Sequence, residues 1–204
     1  MTINKEQTVF IVDDEIPILD SLSMLLRSVG INTKTFTHAQ EFINAYAPEQ
    51  SGCLLLDIRL PEISGPKLHQ YLKQRKYSLP IIFITGHGDV AMAVEAIKNG
   101  AEDFILKPFQ TDALVEKVKK ALQKERENRK DNHDLSEINR RFQSLTPREK
   151  EILEKIINGN ANKVIAIDMA ISQRTVEIHR AHIMQKMQTK SLPQLIKMVN
   201  QLEL

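Results

Sequence analysis

The sequence predicts a parallel α/β domain followed by a separate all-α domain. Three observations predict it. Short strand-like runs and amphipathic helical runs alternate five times between Thr8 and Leu122. Four of these five runs are apolar and end in polar groups: Asp13 and Asp14, Asp57, Thr85, and Lys107. Beyond Leu122 the apolar residues recur at helical spacings. The first part is therefore expected to be a five-stranded parallel sheet with helices on both faces. The second run ends in nothing chemical, as expected of an edge strand, which gives the strand order 2-1-3-4-5.

The elements follow in order. Thr8 to Val12 is a β-rich run ending in Asp13-Asp14-Glu15, and Pro17 suits the first turn of a helix. Ile18, Leu22, Leu25, Leu26 and Val29 lie at helical spacing, with Gly30 as a C-terminal stop. Asn32 to Phe36 reads as a strand, and His38 to Tyr46 as a helix ended by Pro48. Cys53 to Leu56 is a short apolar run that delivers Asp57 to the sheet's edge. Pro61, Gly65 and Pro66 mark a loop, and a helix follows to Gln74. Ile81 to Ile84 ends in Thr85-Gly86-His87-Gly88, and a helix from Asp89 to Asn99 stops at Gly100. Phe104 to Leu106 ends in Lys107-Pro108, and Asp112 starts a helix through Leu114, Val118 and Leu122.

Ligands of such sheets bind at the carboxyl ends of the strands. Three carboxylates gathered there repel one another unless a cation joins them. Oxygen-only ligands point to Mg²⁺. A divalent metal beside a carboxylate, a lysine ammonium and a hydroxyl makes a phosphoryl site. In it Asp57 is the nucleophile that forms an aspartyl phosphate, Lys107 neutralises charge, and Thr85 donates a hydrogen bond. Taken singly, each residue also reads as a helix cap, a turn residue or a surface amine. Their joint placement favours the site.

The runs VFIVDDE, LLLDIRLPEISG, IIFITGHGD and GAEDFILKPF, in this order, resemble a response-regulator receiver domain of flavodoxin-like fold. The resemblance implies that Asp57 is the phosphoacceptor and that Asp13, Asp14, Asp57 and the backbone carbonyl of Arg59 hold Mg²⁺. It implies a switch pair, Thr85 and Phe104, a phosphoryl contact from Lys107, and a cis Lys107-Pro108 bond. Ala91, Val94, Lys98 and Glu102 are then the dimerisation face of the phosphorylated form.

Residues 123–143 are expected to be a charged linker, either a solvated helix extension or a loose connector. No large apolar residue occurs between Gln123 and Asp134, so this stretch is not expected to bury a face. Leu135, Ile138, Phe142 and Leu145 then form a stripe that suits packing onto the second domain better than a coiled-coil seam.

The C-terminal part opens with a capping box, Thr146-Pro147-Arg148-Glu149. Ile152, Leu153, Ile156 and Ile157 form the inner face of its helix. A short helix from Asn162 to Met169 turns Val164, Ile165 and Ala166 inward. A third helix after Ser172 has Val176, Ile178, Ile183 and Met187 as candidate core and a basic outer face. A last helix carries Leu195, Ile196 and Val199. Two short helices around a tight turn, the second basic, make a helix-turn-helix that reads duplex DNA. LTPREKEIL, NKVIAIDMAISQRTVEIHRAHIMQKM and KSLPQLIKM resemble the LuxR-type helix-turn-helix, and the whole chain resembles the FixJ subfamily of two-domain regulators. By that resemblance Lys163, Ser172, Arg174, Thr175, His179, Arg180 and Lys186 contact DNA, and Glu177 orients the neighbouring basic side chains. The last helix is the dimer contact on DNA. Ala170 stands where many relatives have glycine in the turn, at a cost of about 1 kcal/mol if that residue is left-handed.

The domains are thus expected at 7–122, 123–143 and 144–204, with a histidine kinase, double-stranded DNA and a second copy as partners. RNA polymerase is a further candidate partner. Net charge is +2 for 204 residues; residues 1–122 hold 13 basic against 15 acidic groups, and residues 144–204 hold 9 against 6. A polyanion is therefore expected at the C-terminal end. No run is long and apolar enough to span a membrane, no signal peptide is evident, and a cytoplasmic location is expected. Cys53, the only cysteine, reads as a small buried hydrophobe. The chain is not expected to be an enzyme beyond catalysing its own phosphorylation and slow dephosphorylation. A phosphohydrolase using Asp57 is the alternative, but the second acid of some aspartyl phosphatases is absent from Asp57-Ile58-Arg59. An RNA-binding output is the other, against which the RTVEIHR helix argues. His179 and His182 lack an evident third metal ligand.

Overall fold

The computed structural model describes residues 7–86 and 90–202. The chain divides into two compact units after Arg129.

The first unit contains β1 (Thr8–Val12), α1 (Ile16–Ser28), β2 (Asn32–Phe36), α2 (Ala39–Ala45), β3 (Gly52–Asp57), α3 (Gly65–Gln74), β4 (Ile81–Thr85), α4 (Val90–Lys98) and β5 (Asp103–Leu106), then the start of α5 (Thr111–Gln143). The expected start of α4 at Asp89, with His87 and Gly88 before it, lies outside the described residues. All strand pairs are parallel, in the order β2-β1-β3-β4-β5. The expected sheet and its order are both present.

Strand alternation sorts the apolar residues into two cores. Phe10, Val12, Leu54, Leu56 and Phe83 pack with Phe42, Leu68, Leu72 and Ala96 of α2, α3 and α4. Val9, Ile11, Cys53, Leu55, Ile82 and Ile84 pack with Leu19, Leu22 and Leu26 of α1 and with Leu114, Val118 and Ala121 of α5. β3 is buried along its whole length, which explains its unbroken apolar run. Cys53 is buried, and burial pushes its thiol far above the usual range.

α5 continues to Gln143, so residues 123–143 are helical. The expectation that this stretch buries nothing needs correction. Glu125 is only 2% exposed. Its carboxylate accepts from Gln7 Nε2 at 2.9 Å, Ser51 Oγ at 2.6 Å and Arg129 Nε at 2.6 Å. Gln7 also donates to the carbonyl of Leu122 and accepts from Arg126. Arg129 donates to the carbonyls of Pro48, Glu49 and Gln50. A buried charge persists only when paired and hydrogen-bonded, and apart from Arg129 the partners, Gln7 and Ser51, lie too far away in sequence to be read from the local pattern.

The second unit holds the rest of α5 with α6 (Pro147–Ile157), α7 (Asn162–Asp168), α8 (Gln173–Lys186) and α9 (Leu192–Asn200). Its core joins Ile138, Leu145, Ile152, Leu153, Ile156, Ile165, Val176, Ile183, Met187, Leu195 and Val199, with Phe142 packed against them. The stripe thus packs onto this core as expected, except for Leu135, which stays 37% exposed. Two inward assignments are corrected: Val164 and Ile178 are each 45% exposed. α7 is short, and Ile165 and Ala166 already fill its inner side. On α8 the inner line is Val176, Ile183 and Met187, which turns Ile178 outward. Ala170 is left-handed at φ 50°, so the turn takes the usual backbone with an alanine in it.

Candidate functional site

Three strand ends converge on one ammonium. Lys107 Nζ lies 2.8 Å from Asp13 Oδ2, 3.0 Å from Asp57 Oδ1 and 3.4 Å from Glu15 Oε1. Asp13 has no exposure, and Asp57 is buried at the end of β3. Backbone groups fix both acids. The Glu15 N–H donates to Asp13 Oδ1 at 2.9 Å, and the Arg59 N–H donates to Asp57 Oδ2 at 2.6 Å. Lys107 is held by its own N–H, which donates to the Thr85 carbonyl at 2.7 Å, and its bond to Pro108 is cis.

Electrostatics follow from this packing. Burial pushes the Asp57 carboxyl above its usual range and Asp13 adds to the rise, while Lys107 and the Arg59 N–H pull it back in part. Burial alone disfavours the charged Lys107, but the two aspartates outweigh it and hold the ammonium above the usual lysine range. Lys107 is the counter-charge that lets two buried carboxylates lie side by side.

The predicted residues are not all brought together. Asp13, Asp57 and Lys107 meet; Asp14 is exposed, because the residue after Asp13 turns to the other side of the chain. Among the described residues no three acidic, histidine or cysteine side chains form a metal-holding group. The donor chemistry still fits Mg²⁺: the hard carboxylate oxygens of buried Asp13 and Asp57, alike in charge and close together, with Asp14 adjacent in the chain. Thr85 is buried, and its hydroxyl donates to the Gly86 carbonyl at 3.2 Å. Phe104 is half-buried against the Phe83 core. Ala91, Val94 and Lys98 are exposed; Glu102 is half-buried and paired with Lys124 at 2.7 Å. Gly65 was read only as a loop marker, yet a Cβ there would lie 2.3 Å from the Asp57 carbonyl oxygen. Glu15 was likewise passed over; nothing local announces its approach to Lys107.

In the second unit Ser172 caps α8, its Oγ accepting from the Thr175 N–H at 3.0 Å. Lys163, Ser172, Arg174 and Glu177 are exposed, while Thr175, His179 and Arg180 are half-buried. Arg174 pairs with Glu177 at 3.3 Å. His179 Nδ1 is buried without a hydrogen-bond partner in this structure. Lys186 is committed elsewhere: its Nζ lies 2.7 Å from Glu149 Oε2. Glu149 also completes the capping box, accepting from the Thr146 N–H at 2.8 Å, while its own N–H donates to Thr146 Oγ1. Ile178 was missed as a surface residue; its spacing of four from both Arg174 and His182, also exposed, was the available signal.

Glu149 therefore ties α8 to the start of α6. Burial raises its carboxyl, but Lys186 and Thr146 outweigh that and hold it below the usual 4.5. A depressed folded-state value stabilises above the unfolded one and is lost as pH falls through the folded one. Glu149→Ala is expected to cost about 2 kcal/mol at pH 7, from the lost cap and charged hydrogen bond. Glu149→Gln, which can still cap, is expected to cost less. Thermal unfolding of the second unit measures both. The gap between Glu149→Gln and the parent should close as pH drops below 4.5; a constant gap contradicts the ion pair.

The chain matches the response regulator receiver domain family over residues 9–119 and the luxR family of bacterial regulatory proteins over residues 143–199. It is 44% identical over 194 residues to the transcriptional regulatory protein FixJ of Rhizobium meliloti, covering 95% of each chain. It is 38% identical over 200 residues to the response regulator protein TodT of Pseudomonas putida, covering 98% of this chain and 88% of TodT. Among solved structures, the response regulator StyR matches with a TM-score of 0.89 at 41% identity, covering 96% of this chain and 98% of StyR. Full-length FixJ from B. japonicum matches at 0.61 and 37%, covering 97% and 98%. Receiver domains bind Mg²⁺ at their acidic phosphorylation site, and a receiver implies a histidine kinase partner as a LuxR-type domain implies DNA. Among the described residues, no helix is long and apolar enough to cross a membrane. The acidic site and the capped helix-turn-helix are thus the two working parts of one family: the chain belongs to the FixJ-type response regulators, transcription regulators of two-component systems that join a receiver to a LuxR-type DNA-binding domain.

Proposed function

We propose that Asp57 takes a phosphoryl group from a phosphohistidine of a partner kinase, and that this promotes pairing of receivers and DNA binding by the C-terminal unit. The carrying observation is the buried Asp57 carboxylate 3.0 Å from Lys107 and beside Asp13. In the transfer an Asp57 carboxylate oxygen forms a bond to phosphorus as the P–N bond breaks; the bonding pair stays on that ring nitrogen, and the histidine, already protonated on its other ring nitrogen, leaves as neutral imidazole. Lys107 offers its charge to the incoming oxygens. Asp13, Asp14, Asp57 and the Arg59 carbonyl are the residues that would hold Mg²⁺. The ion supplies a second positive charge for the phosphoryl oxygens.

Thr85 turns its hydroxyl from the Gly86 carbonyl to the phosphoryl group, and Phe104 sinks into the space that opens. The face of Ala91, Val94, Lys98 and Glu102 changes with it and becomes the contact between receivers. On the DNA side α8 enters the major groove. Lys163, Ser172, Arg174, Thr175 and Arg180 contact it, with Glu177 orienting Arg174. Lys186 serves the fold through Glu149 more than it serves DNA. His179 stands half-buried at the edge of this face, and exposed Ile178 matches the methyl of a thymine. RNA polymerase is a further candidate partner of a regulator bound to DNA, whether it activates or represses.

Treatment with a small phosphodonor and Mg²⁺ is expected to add one phosphoryl mass to the protein and none to Asp57→Asn. An adduct that survives the substitution sinks the assignment. Binding to duplex DNA should weaken linearly in log–log form with salt; a flat salt series counts against the reader.

A further inference from the structure

α5 is held at two places, and the stretch between them is held by nothing. In the first unit Glu125 and Arg129 anchor it to Gln7, Ser51 and the carbonyls of residues 48–50. In the second unit Ile138 and Phe142 are set into the helical core. Residues 130–136 are all exposed. Among the described residues, the one side-chain interaction this stretch makes is the exposed contact of neighbouring His133 and Asp134 at 3.7 Å. No ion pair of i,i+4 spacing braces it, unlike Arg129 with Glu125 before it and Arg141 with Glu137 after it. Its centre is Asp131-Asn132-His133-Asp134, four consecutive residues of poor helix propensity. Asp and Asn side chains also compete for backbone hydrogen bonds. Helices in proteins draw most of their stability from packing, which this stretch lacks. The division of the chain into units falls at its edge, after Arg129.

We propose that residues 130–136 are a hinge built into α5, which opens by local unwinding while the helix on either side stays formed. The working connector is then seven residues, a third of the 21 that composition marks out. Helical, it spans about 10 Å; fully unwound, at most about 24 Å. That range sets how far the reader can move while the receiver keeps its end of the helix.

Hydrogen exchange read by mass spectrometry on the full chain tests the hinge. Amides of residues 131–137 are expected to exchange at least about tenfold faster than those of residues 116–122 in the same helix, and trypsin is expected to cut first after Lys130. The triple variant Asp131→Ala, Asn132→Ala, Asp134→Ala touches only exposed side chains. It should slow exchange there at least about threefold and delay that cut. Equal protection along α5, or exchange at residues 131–137 unchanged by the triple variant, overturns the proposal. Glu125→Gln separates anchor from hinge: it should extend fast exchange back to Gln123 and leave residues 139–143 as in the parent. No change at residues 123–129 refutes the anchor.

Discussion

Lys107→Met is expected to destabilise the receiver by about 3–5 kcal/mol at pH 7, the cost of breaking a buried pair by removing one partner. The ammonium is 20% exposed, and its carboxylate partners Asp13 and Asp57 are 0% and 9% exposed, so solvent screens little of the loss. Methionine keeps the length and removes the charge, leaving two buried like charges side by side. The Asp57 carboxyl, already above its usual range, loses the Lys107 contribution that pulls it back and rises further, so the folded form holds a proton there more tightly than the unfolded one. Stability must therefore climb as pH falls from the raised folded value toward the ordinary 3.8. Urea unfolding at pH 7 and pH 5 reads this: a large deficit at the first, a smaller one at the second. The double variant Lys107→Met, Asp57→Asn should recover much of the loss at pH 7, since one unpaired charge remains instead of two. A deficit that is the same at both pH values and survives in the double variant means that packing, and not charge, explains Lys107.

Gly65→Ala is expected to cost about 3 kcal/mol and to slow phosphoryl uptake at Asp57. The reason is space. The added Cβ meets the Asp57 carbonyl oxygen at 2.3 Å, with the Ile58 Cα and a Phe83 ring carbon at 3.1 Å. None of these is a flexible side-chain end, so α3 must back away from β3 and strain the Gly65 N–H bond to the Ile58 carbonyl, now 3.0 Å. Gly30→Ala is the control. Gly30 has φ 78° but nothing within 4 Å of an added Cβ, so its cost is conformational, about 1 kcal/mol, and distant from Asp57. Thermal unfolding and phosphodonor kinetics on both variants separate the two. A Gly65→Ala protein as stable and as reactive as Gly30→Ala contradicts the close approach.

The sheet was legible because four of its five strands are short, apolar and end in a chemical group, and because parallel strands buried on both faces leave unbroken runs such as Cys53 to Leu56. Asp13, Asp57 and Lys107 were legible for the same reason. What the pattern hid depends on direction or distance. Asp14 differs from Asp13 only in the side to which the chain turns. Glu125 sits in a run of alternating charges whose composition says solvent, and only residues more than seventy positions away reveal its burial. Lys186 looks like one more basic group on a DNA-reading helix until Glu149 is seen beneath it. Val164 and Ile178 fit an inward periodicity loosely, and in a small helical unit other side chains fill the interior first.

β1 lies inside the sheet between β2 and β3, and Gln7, just before it, bonds to Leu122 and Glu125. The strand's own ladder partners come early, Asn32 and Gly52 opposite Thr8, whereas the Gln7 side chain waits for groups 115 and 118 positions away. The second unit closes over short loops; among its described residues the longest-range side-chain bond, Lys186 to Glu149, spans 37 positions. Assembly order therefore differs from synthesis order in the two halves. The receiver sheet can begin to pair before α5 is made, but the Gln7–Glu125 anchor closes only when the first half of α5 has left the ribosome, and the sheet folds at the slower pace of non-local pairing. The helical reader, with its shorter-range contacts, completes itself soon after it emerges.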